Sequence, residues 1–290
     1  MKILAIGDIF GKIGRKVIKN YLEEIKEKYQ IDLVIANVEN TTHGKGISKK
    51  HYKELKSTEE KKILIDVMTS GNHIFHLEET REFIDKLPDL DLLRPLNSNF
   101  YHPGPGTIQV TVKNKKVRVT NLIGTTFMPP AENPYFVLEK LLENDDSDIH
   151  LIDFHAEATA EKIVFAYYFD DKFPGKITAL WGTHTHVQTA DERTLLNGTA
   201  FITDLGMTGP SEGIIGAEPA GIIQRSKNNF SSPMRPYEKG QGQLNGLILE
   251  IDDSSNKVIS LQRINLKTSF SDSNKHKSSK NTSKKNSYNN

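Results

Sequence analysis

Five short apolar runs in this chain each lead into residues that can hold a metal ion or a proton. Residues 3–6 lead to Asp8, 33–36 to Glu39 and Asn40, and 63–68 to Asn72 and His73. Residues 149–154 lead to His155, and 177–181 to Gly182-Thr183-His184-Thr185-His186. Short apolar runs bounded by turn residues read as buried strands. Between the first three runs the spacing changes to that of helices. Val17, Ile18, Tyr21, Leu22 and Ile25 form the apolar face of a helix over about residues 14–29. Polar helical stretches follow over about 48–61 and 77–86. This alternation implies an α/β sheet whose loops gather at the carboxyl ends of the strands, and every candidate side chain falls at such an end.

The middle of the chain changes style. Residues 107–112 and 117–122 alternate apolar and polar around Lys113-Asn114-Lys115-Lys116, the pattern of a β-hairpin. Helices are expected over about 134–143, after Pro129 and Pro130, and over 158–168. Further strands are expected at about 199–204, 244–251 and 257–264. The Gly- and Pro-containing stretch 205–243 is a candidate active-site rim. The element order suits an α/β fold with two sheets packed face to face and helices outside, a two-sheet β-sandwich in four layers. One domain is expected over residues 1–266. Residues 267–290 are almost entirely Ser, Lys, Asn and Thr and read as a disordered tail.

Charge and composition remove several function classes. A net charge of +1 makes no strong electrostatic demand for nucleic acid. The tail is locally basic, through Lys275, Lys277, Lys280, Lys284 and Lys285, and could touch RNA or an anionic surface weakly. It reads first as a solvated tail with no partner. The absence of Cys rules out disulfides and zinc–thiolate sites. No stretch approaches the ~20 apolar residues of a membrane span. The opening apolar run is too short for a signal peptide and an acid follows at once, so a soluble cytoplasmic protein is expected. Trp181 and the 205–243 region could pack within the domain or against another subunit, which leaves a homo-oligomer open.

Each island has two readings on its own. Asp8, between Gly7 and Gly11, is a metal ligand or the cap of a turn. Glu39 at the end of a buried strand needs a partner, because an unpaired buried carboxylate is expensive; that partner is a cation, or else a Lys or Arg. Its two oxygens could bridge two cations. Asn40 offers an amide oxygen or merely forms a turn. Asn72 is a weak ligand alone and makes better sense in a shared cluster. His73 is a ligand or a general acid, since His is the side chain best suited to donate a proton near neutral pH. His155 is a satisfied core histidine or a ligand, with Asp153 a candidate partner orienting an imidazole. His43, His51, His76, His102, His150 and His276 lack this placement and read as surface or loop residues, although His43 is close enough to Glu39 to face a substrate.

Taken together the islands supply oxygen and nitrogen donors for two metal ions. Two ions ~3.5–4 Å apart can activate a bridging hydroxide and relieve charge on phosphoryl oxygens, which is what phosphate-ester hydrolysis requires. Mixed His, carboxylate and amide donors suit Fe, Mn or Zn better than Ca or Mg.

At this point the islands resemble the calcineurin-like metallophosphoesterase superfamily. Gly71-Asn72-His73, His155 and His184-Thr185-His186 match three of its five motifs. The other two depart: Phe10 stands where the superfamily has a His ligand, and Glu39-Asn40 replaces an Asp-centred motif. The departures resemble the YmdB-type phosphodiesterase branch, as do Gly7-Asp8-Ile9-Phe10-Gly11, Asn37-Val38-Glu39-Asn40 and the run from Asp153 to Thr159. The resemblance covers about residues 1–265. It implies a two-sheet sandwich and a first metal held by Asp8, Glu39, Asn40 and His186. A second would be held by Glu39, Asn72, His155 and His184, with Glu39 bridging. Iron is the implied metal, ahead of Mn or Zn, and His73 the implied proton donor. Asn40 would take the place of the ligand lost at Phe10. The implied substrate is a small nucleotide, a 2′,3′-cyclic nucleotide foremost. A metal-dependent phosphomonoesterase, a nuclease and a regulatory protein with a non-catalytic metal site are the rivals.

Overall fold

The computed structural model describes residues 1–58, 62–87, 89–98, 102–228 and 235–268. The first half runs β1 (Lys2–Ile6), β2 (Asp8–Ile9), α1 (Gly11–Tyr29), β3 (Leu33–Asn37), α2 (Lys49–Lys56), β4 (Val67–Thr69) and α3 (Glu78–Phe83). It continues with β5 (Thr107–Val112), β6 (Lys115–Ile123), α4 (Pro134–Leu142), β7 (Ile149–His155), α5 (Thr159–Lys172) and β8 (Ala179–Thr183). The last part holds β9 (Arg193–Thr194), β10 (Ala200–Ile202), β11 (Met207–Pro210), α6 (Pro219–Asn228), β12 (Gly242–Ile251) and β13 (Val258–Thr268).

Two sheets form. One has seven strands in the order β2-β11-β12-β1-β3-β4, with β13 on β12; the other has six, in the order β5-β6-β7-β8-β10-β9. The period-2 alternation of each strand divides its side chains between layers. Leu4, Ile6, Val34 and Ala36 face α1, against Ile13, Val17, Ile18 and Leu22. Ile3, Ala5, Leu33 and Ile35 point the other way and meet Val119, Leu151, Ala179 and Trp181 of the second sheet. Leu122, Ile152, Phe154 and Leu180 face α4 and α5, where Phe165 and Phe169 close the last layer. The result is the expected four-layer order of helix, sheet, sheet and helix.

Local boundaries differ from expectation for identifiable reasons. Helix α1 begins at Gly11, three residues early: Gly11 N–H donates to the Asn40 carbonyl and Gly14 N–H to that of Phe10. A side chain at Gly14 would collide with the Thr208 carbonyl, so close packing on β11 accounts for the glycine that hides the helix start. Strand β4 begins at Val67, because Asp66 is turned to accept the Val34 N–H at 2.8 Å. The hairpin loop is shorter than the four residues expected. Lys113 and Asn114 both adopt positive φ, at 49° and 63°, and this pair alone makes the reversal. Within 205–243, β11 runs between β2 and β12, so only part of that stretch is rim. Strand β13 continues through Lys267 and Thr268, paired with Gln243 and Gly242, past the expected boundary at residue 266. The remaining tail, with His276 and its lysines, lies outside the described residues. His150 is not a surface histidine but a buried residue of β7, bonded to Thr120 Oγ1 and paired with Asp145.

Candidate metal centre

The parallel pairs β1–β3–β4 and β7–β8 point their carboxyl ends at one rim of the sandwich. Asp8 lies in β2, Glu39 and Asn40 follow β3, and Asn72 and His73 follow β4. His155 ends β7, and His184 and His186 follow β8. The two sheets are tied directly beneath this rim: Asn37 Nδ2 of β3 donates to Asp153 Oδ2 of β7 at 3.1 Å. Thr69 of β4 donates to the same carboxylate oxygen at 2.5 Å.

The bonding network assigns which ring nitrogen of each histidine carries its proton. Thr183 Oγ1 donates to Asp153 Oδ1 at 2.7 Å, so it must accept from His155 Nδ1, 2.9 Å away. His155 Nε2 is then the nitrogen turned to the cluster. It faces Asn72 Oδ1 at 3.1 Å, Glu39 Oε1 at 3.2 Å and His184 Nδ1 at 3.0 Å. His184 Nε2 lies 2.9 Å from Glu157 Oε2, an atom that only accepts, so Nδ1 of His184 is bare. Two ring nitrogens and two oxygens thus converge where only a proton or another cation can sit between them. A cation satisfies such a set, and Glu39, His155 and His184 present donor atoms all within 4.8 Å of one another.

A second convergence lies beside the first. His186 Nδ1 donates to the Ile215 carbonyl at 2.9 Å, which leaves Nε2 bare, 3.2 Å from Asn40 Oδ1 and 3.8 Å from Asp8 Oδ1. Asn40 is held in this orientation because its Nδ2 donates to the Gly44 carbonyl at 3.0 Å. Asp8 is fully buried; Oδ2 accepts the His184 N–H, while Oδ1 has no hydrogen-bond partner. An orphaned buried carboxylate oxygen beside a bare imidazole nitrogen fits a second ion. Phe10 does not coordinate but packs edge-on against His186, with ring centroids 5.6 Å apart. The residues present therefore fit metal ions at both convergences, with Glu39 beside His155 and His184.

Proton affinities report the same field. Burial pulls His155 down, but Glu39, Asp8 and Asp153 push it up to about 9. Burial, and then the charge on His155, pull His184 down to about 3. Burial raises the Asp8 carboxyl. It would raise Glu39 too, but His155 and His73 hold that carboxyl well below its ordinary value. Two buried carboxylates, Asp8 and Glu39, thus share this rim, and a cation is what balances them.

His73 sits at the edge of this cluster. Its Nδ1 is 3.0 Å from Glu39 Oε1, and its backbone N–H donates to Glu39 Oε2 at 2.9 Å. The ring lines a cavity of about 620 Å³ together with Glu39, Asn40, His184 and His186. His43 and His76 line the same cavity, so the stretch near Glu39 does face it, and His76 joins it unexpectedly. Ile215, Ala217, Arg225, Arg235 and Pro236 line it too, so part of 205–243 is the rim expected of it.

Several residues that hold the site were not picked out in the sequence. Glu157 grips His184, Thr183 relays Asp153 to His155, and the Ile215 carbonyl holds His186. Beneath the His184–His186 loop lies a fully buried ion pair, Lys162 Nζ to Asp204 Oδ2 at 2.7 Å; the same ammonium donates to the Thr183 carbonyl at 2.9 Å. Gly71 is required for space: a Cβ there would overlap the ring of His155 and the carboxylate of Glu39.

A helix-flanked double sheet carrying a mixed imidazole, carboxylate and amide cluster at its carboxyl-end rim is a metallophosphoesterase-type architecture. Residues 4–264 match the family model of YmdB-like proteins, and the chain belongs to that family. It is 41% identical over 267 residues to the 2′,3′-cyclic-nucleotide 2′-phosphodiesterase of Bacillus subtilis, covering 91% of this chain and 96% of that one. The crystal structure of a protein described as a novel phosphatase from Mycoplasma pneumoniae superposes with a TM-score of 0.85 at 39% identity, over 93% of this chain and 94% of the other. A Thermus thermophilus protein described as hypothetical gives a TM-score of 0.83 at 32% identity, over 92% and 100%. No helix among the described residues is long and apolar enough to cross a membrane.

Proposed function

We propose that this protein is a metal-dependent phosphodiesterase that hydrolyses 2′,3′-cyclic nucleotides with two transition-metal ions, iron foremost. The observation that carries the reading is the meeting of ring nitrogens and oxygens from Glu39, Asn72, His155 and His184, beside His73, at the edge of a cavity that Glu39, His73 and His184 line. Asp8, Glu39, Asn40 and His186 would hold one ion, and Glu39, Asn72, His155 and His184 the other. When bound, the ions supply an activated water and relieve charge on the phosphoryl oxygens. The chain's own residues do the rest. The cavity would admit the nucleotide, and buried Asp8 and Glu39 would offer the ions oxygens already withdrawn from bulk water. Hydrolysis of the cyclic ester breaks one P–O bond to ribose, and the leaving ribose oxygen must gain a proton. His73 is placed to give it: Nδ1 is against Glu39, the ring is one-quarter exposed, and it lines the substrate cavity. The name of the Bacillus subtilis relative supports the ester and its cyclic form.

The test is hydrolysis of 2′,3′-cyclic AMP by protein loaded with Fe or Mn, beside Glu39→Ala and His73→Asn. Turnover by the parent, loss of metal with Glu39→Ala, and loss of turnover at full metal content with His73→Asn are expected. No turnover by metal-loaded parent protein overturns the reading. A second reading, a phosphomonoesterase, is favoured by the description of the Mycoplasma pneumoniae structure as a phosphatase. Comparing bis(p-nitrophenyl) phosphate with p-nitrophenyl phosphate separates the two.

A further inference from the structure

The cavity carries cationic side chains that are not part of the donor cluster. Besides the ligand cluster, its wall carries Lys45, Arg225 and Arg235. Lys45 comes from the loop after β3, Arg225 from α6, and Arg235 from beside the isolated bridge of Ala217 and Pro236. The two carboxylates that also line the cavity, Glu39 and Glu157, are engaged with His73 and His155 and with His184. The protein as a whole has a net charge of only +1, so this cationic wall is local and not part of a generally basic surface. Leu77, Ala217 and Pro236 contribute apolar surface to the same cavity. Metal donors, apolar wall and cationic wall share one cavity.

We propose that the Lys45, Arg225 and Arg235 wall is a second anion subsite, built for a phosphate on the 5′ side of the nucleoside whose cyclic phosphate lies at the ligand cluster. The inference rests on the phosphodiesterase reading for the position of the cyclic phosphate. Guanidinium groups bind phosphate through paired N–H donors, and the apolar surface beside them suits a ribose and base. The preferred substrate class is then a nucleoside 2′,3′-cyclic phosphate that also carries a 5′-phosphate. Two sources offer this chemistry: a free 5′-phosphorylated nucleotide, and the last residue of a short RNA ending in a cyclic phosphate. All three cationic residues are exposed, so the wall lies where a chain could leave the cavity.

The test compares 2′,3′-cyclic AMP with its 5′-phosphorylated form. Binding is read by calorimetry on metal-loaded His73→Asn protein, so the affinity ratio does not depend on hydrolysis; turnover is read separately on the parent. The 5′-phosphorylated ligand is expected to bind about ten-fold more tightly, the scale of one charge-assisted contact. The ratio should fall towards one when Arg225→Ala and Arg235→Ala are introduced together, and with rising salt. Equal affinities before the arginines are changed, or a preference that survives their removal, overturns the subsite. Absence of turnover with the ratio intact overturns only the phosphodiesterase reading. The dinucleotide ApA with a terminal cyclic phosphate then separates the sources: tighter binding than the 5′-phosphorylated mononucleotide assigns the RNA end, and weaker binding the free nucleotide.

Discussion

Replacing Lys162 by Met should destabilise the fold by about 3–5 kcal/mol, the range found when one partner of a buried ion pair is removed. Lys162 has no exposed surface and Asp204 is equally enclosed. The ammonium makes a 2.7 Å bond to Asp204 Oδ2 and a 2.9 Å bond to the Thr183 carbonyl. Met fills much of the same volume, so the cavity contribution is small and the loss is electrostatic. Asp204 keeps two backbone donors, Thr185 N–H at 3.1 Å and Gly206 N–H at 2.8 Å, which hold it in place but do not neutralise it. The Thr183 carbonyl loses its Lys162 donor. The assay is urea unfolding of the metal-free protein, with fluorescence of Trp181 and far-ultraviolet dichroism required to coincide before a free energy is extracted. Adding Asp204→Asn removes the stranded charge and should restore at least half of the loss. A cost below about 1 kcal/mol for Lys162→Met, or no recovery in the double variant, refutes the reasoning that an uncompensated buried carboxylate dominates.

Four further outcomes follow from the same geometry. Glu157→Gln replaces the carboxylate that takes the His184 N–H, and metal affinity should weaken by about 10–100-fold in a metal titration; unchanged affinity would show that the contact does not position the ring. Gly71→Ala places a methyl in the space of His155 and Glu39, so elemental analysis should find the metal shared by those residues depleted while the protein remains folded. Asn40→Ala removes the oxygen that faces His186 and should lower metal content; full occupancy would mean that Asn40 does not compensate for Phe10. His51 is pulled down to about 4 by burial and then by the charge of Arg15, and its Nδ1 meets the Thr42 hydroxyl. A folded-state pKa below the ordinary value of 6.5 means that unfolding takes up a proton. Stability from this group is therefore complete above about pH 6.5 and declines as pH falls towards about 4. His51→Gln should flatten that part of the profile in thermal melts.

The strands and the placement of the candidate ligands were readable because both rest on local rules. An apolar run followed by Gly and a polar residue is visible at Gly71-Asn72-His73 and at Gly182 to His186 without knowing what packs on it. Helix α1 was readable from about residue 14 but not from Gly11, since glycine lowers helix propensity and only the contact of Gly14 with β11 explains its place there. The end of β13 at Thr268 was hidden for a similar reason: Lys267 has the composition of the tail, and its pairing with Gln243 comes from a partner strand.

The chain by itself determined which atoms are available for chemistry. Asp8, Glu39, Asn40, Asn72, His155, His184 and His186 are donors by residue type, and their positions after buried strands follow from hydropathy alone. Tertiary structure decided how those donors are charged and aimed. Which nitrogen of His155 faces the cluster depends on Thr183 and Asp153, that of His184 on Glu157, and that of His186 on the carbonyl of Ile215, 29 residues away. A tautomer is set by the partner of the opposite ring nitrogen, and that partner is fixed by the packing of one segment on another.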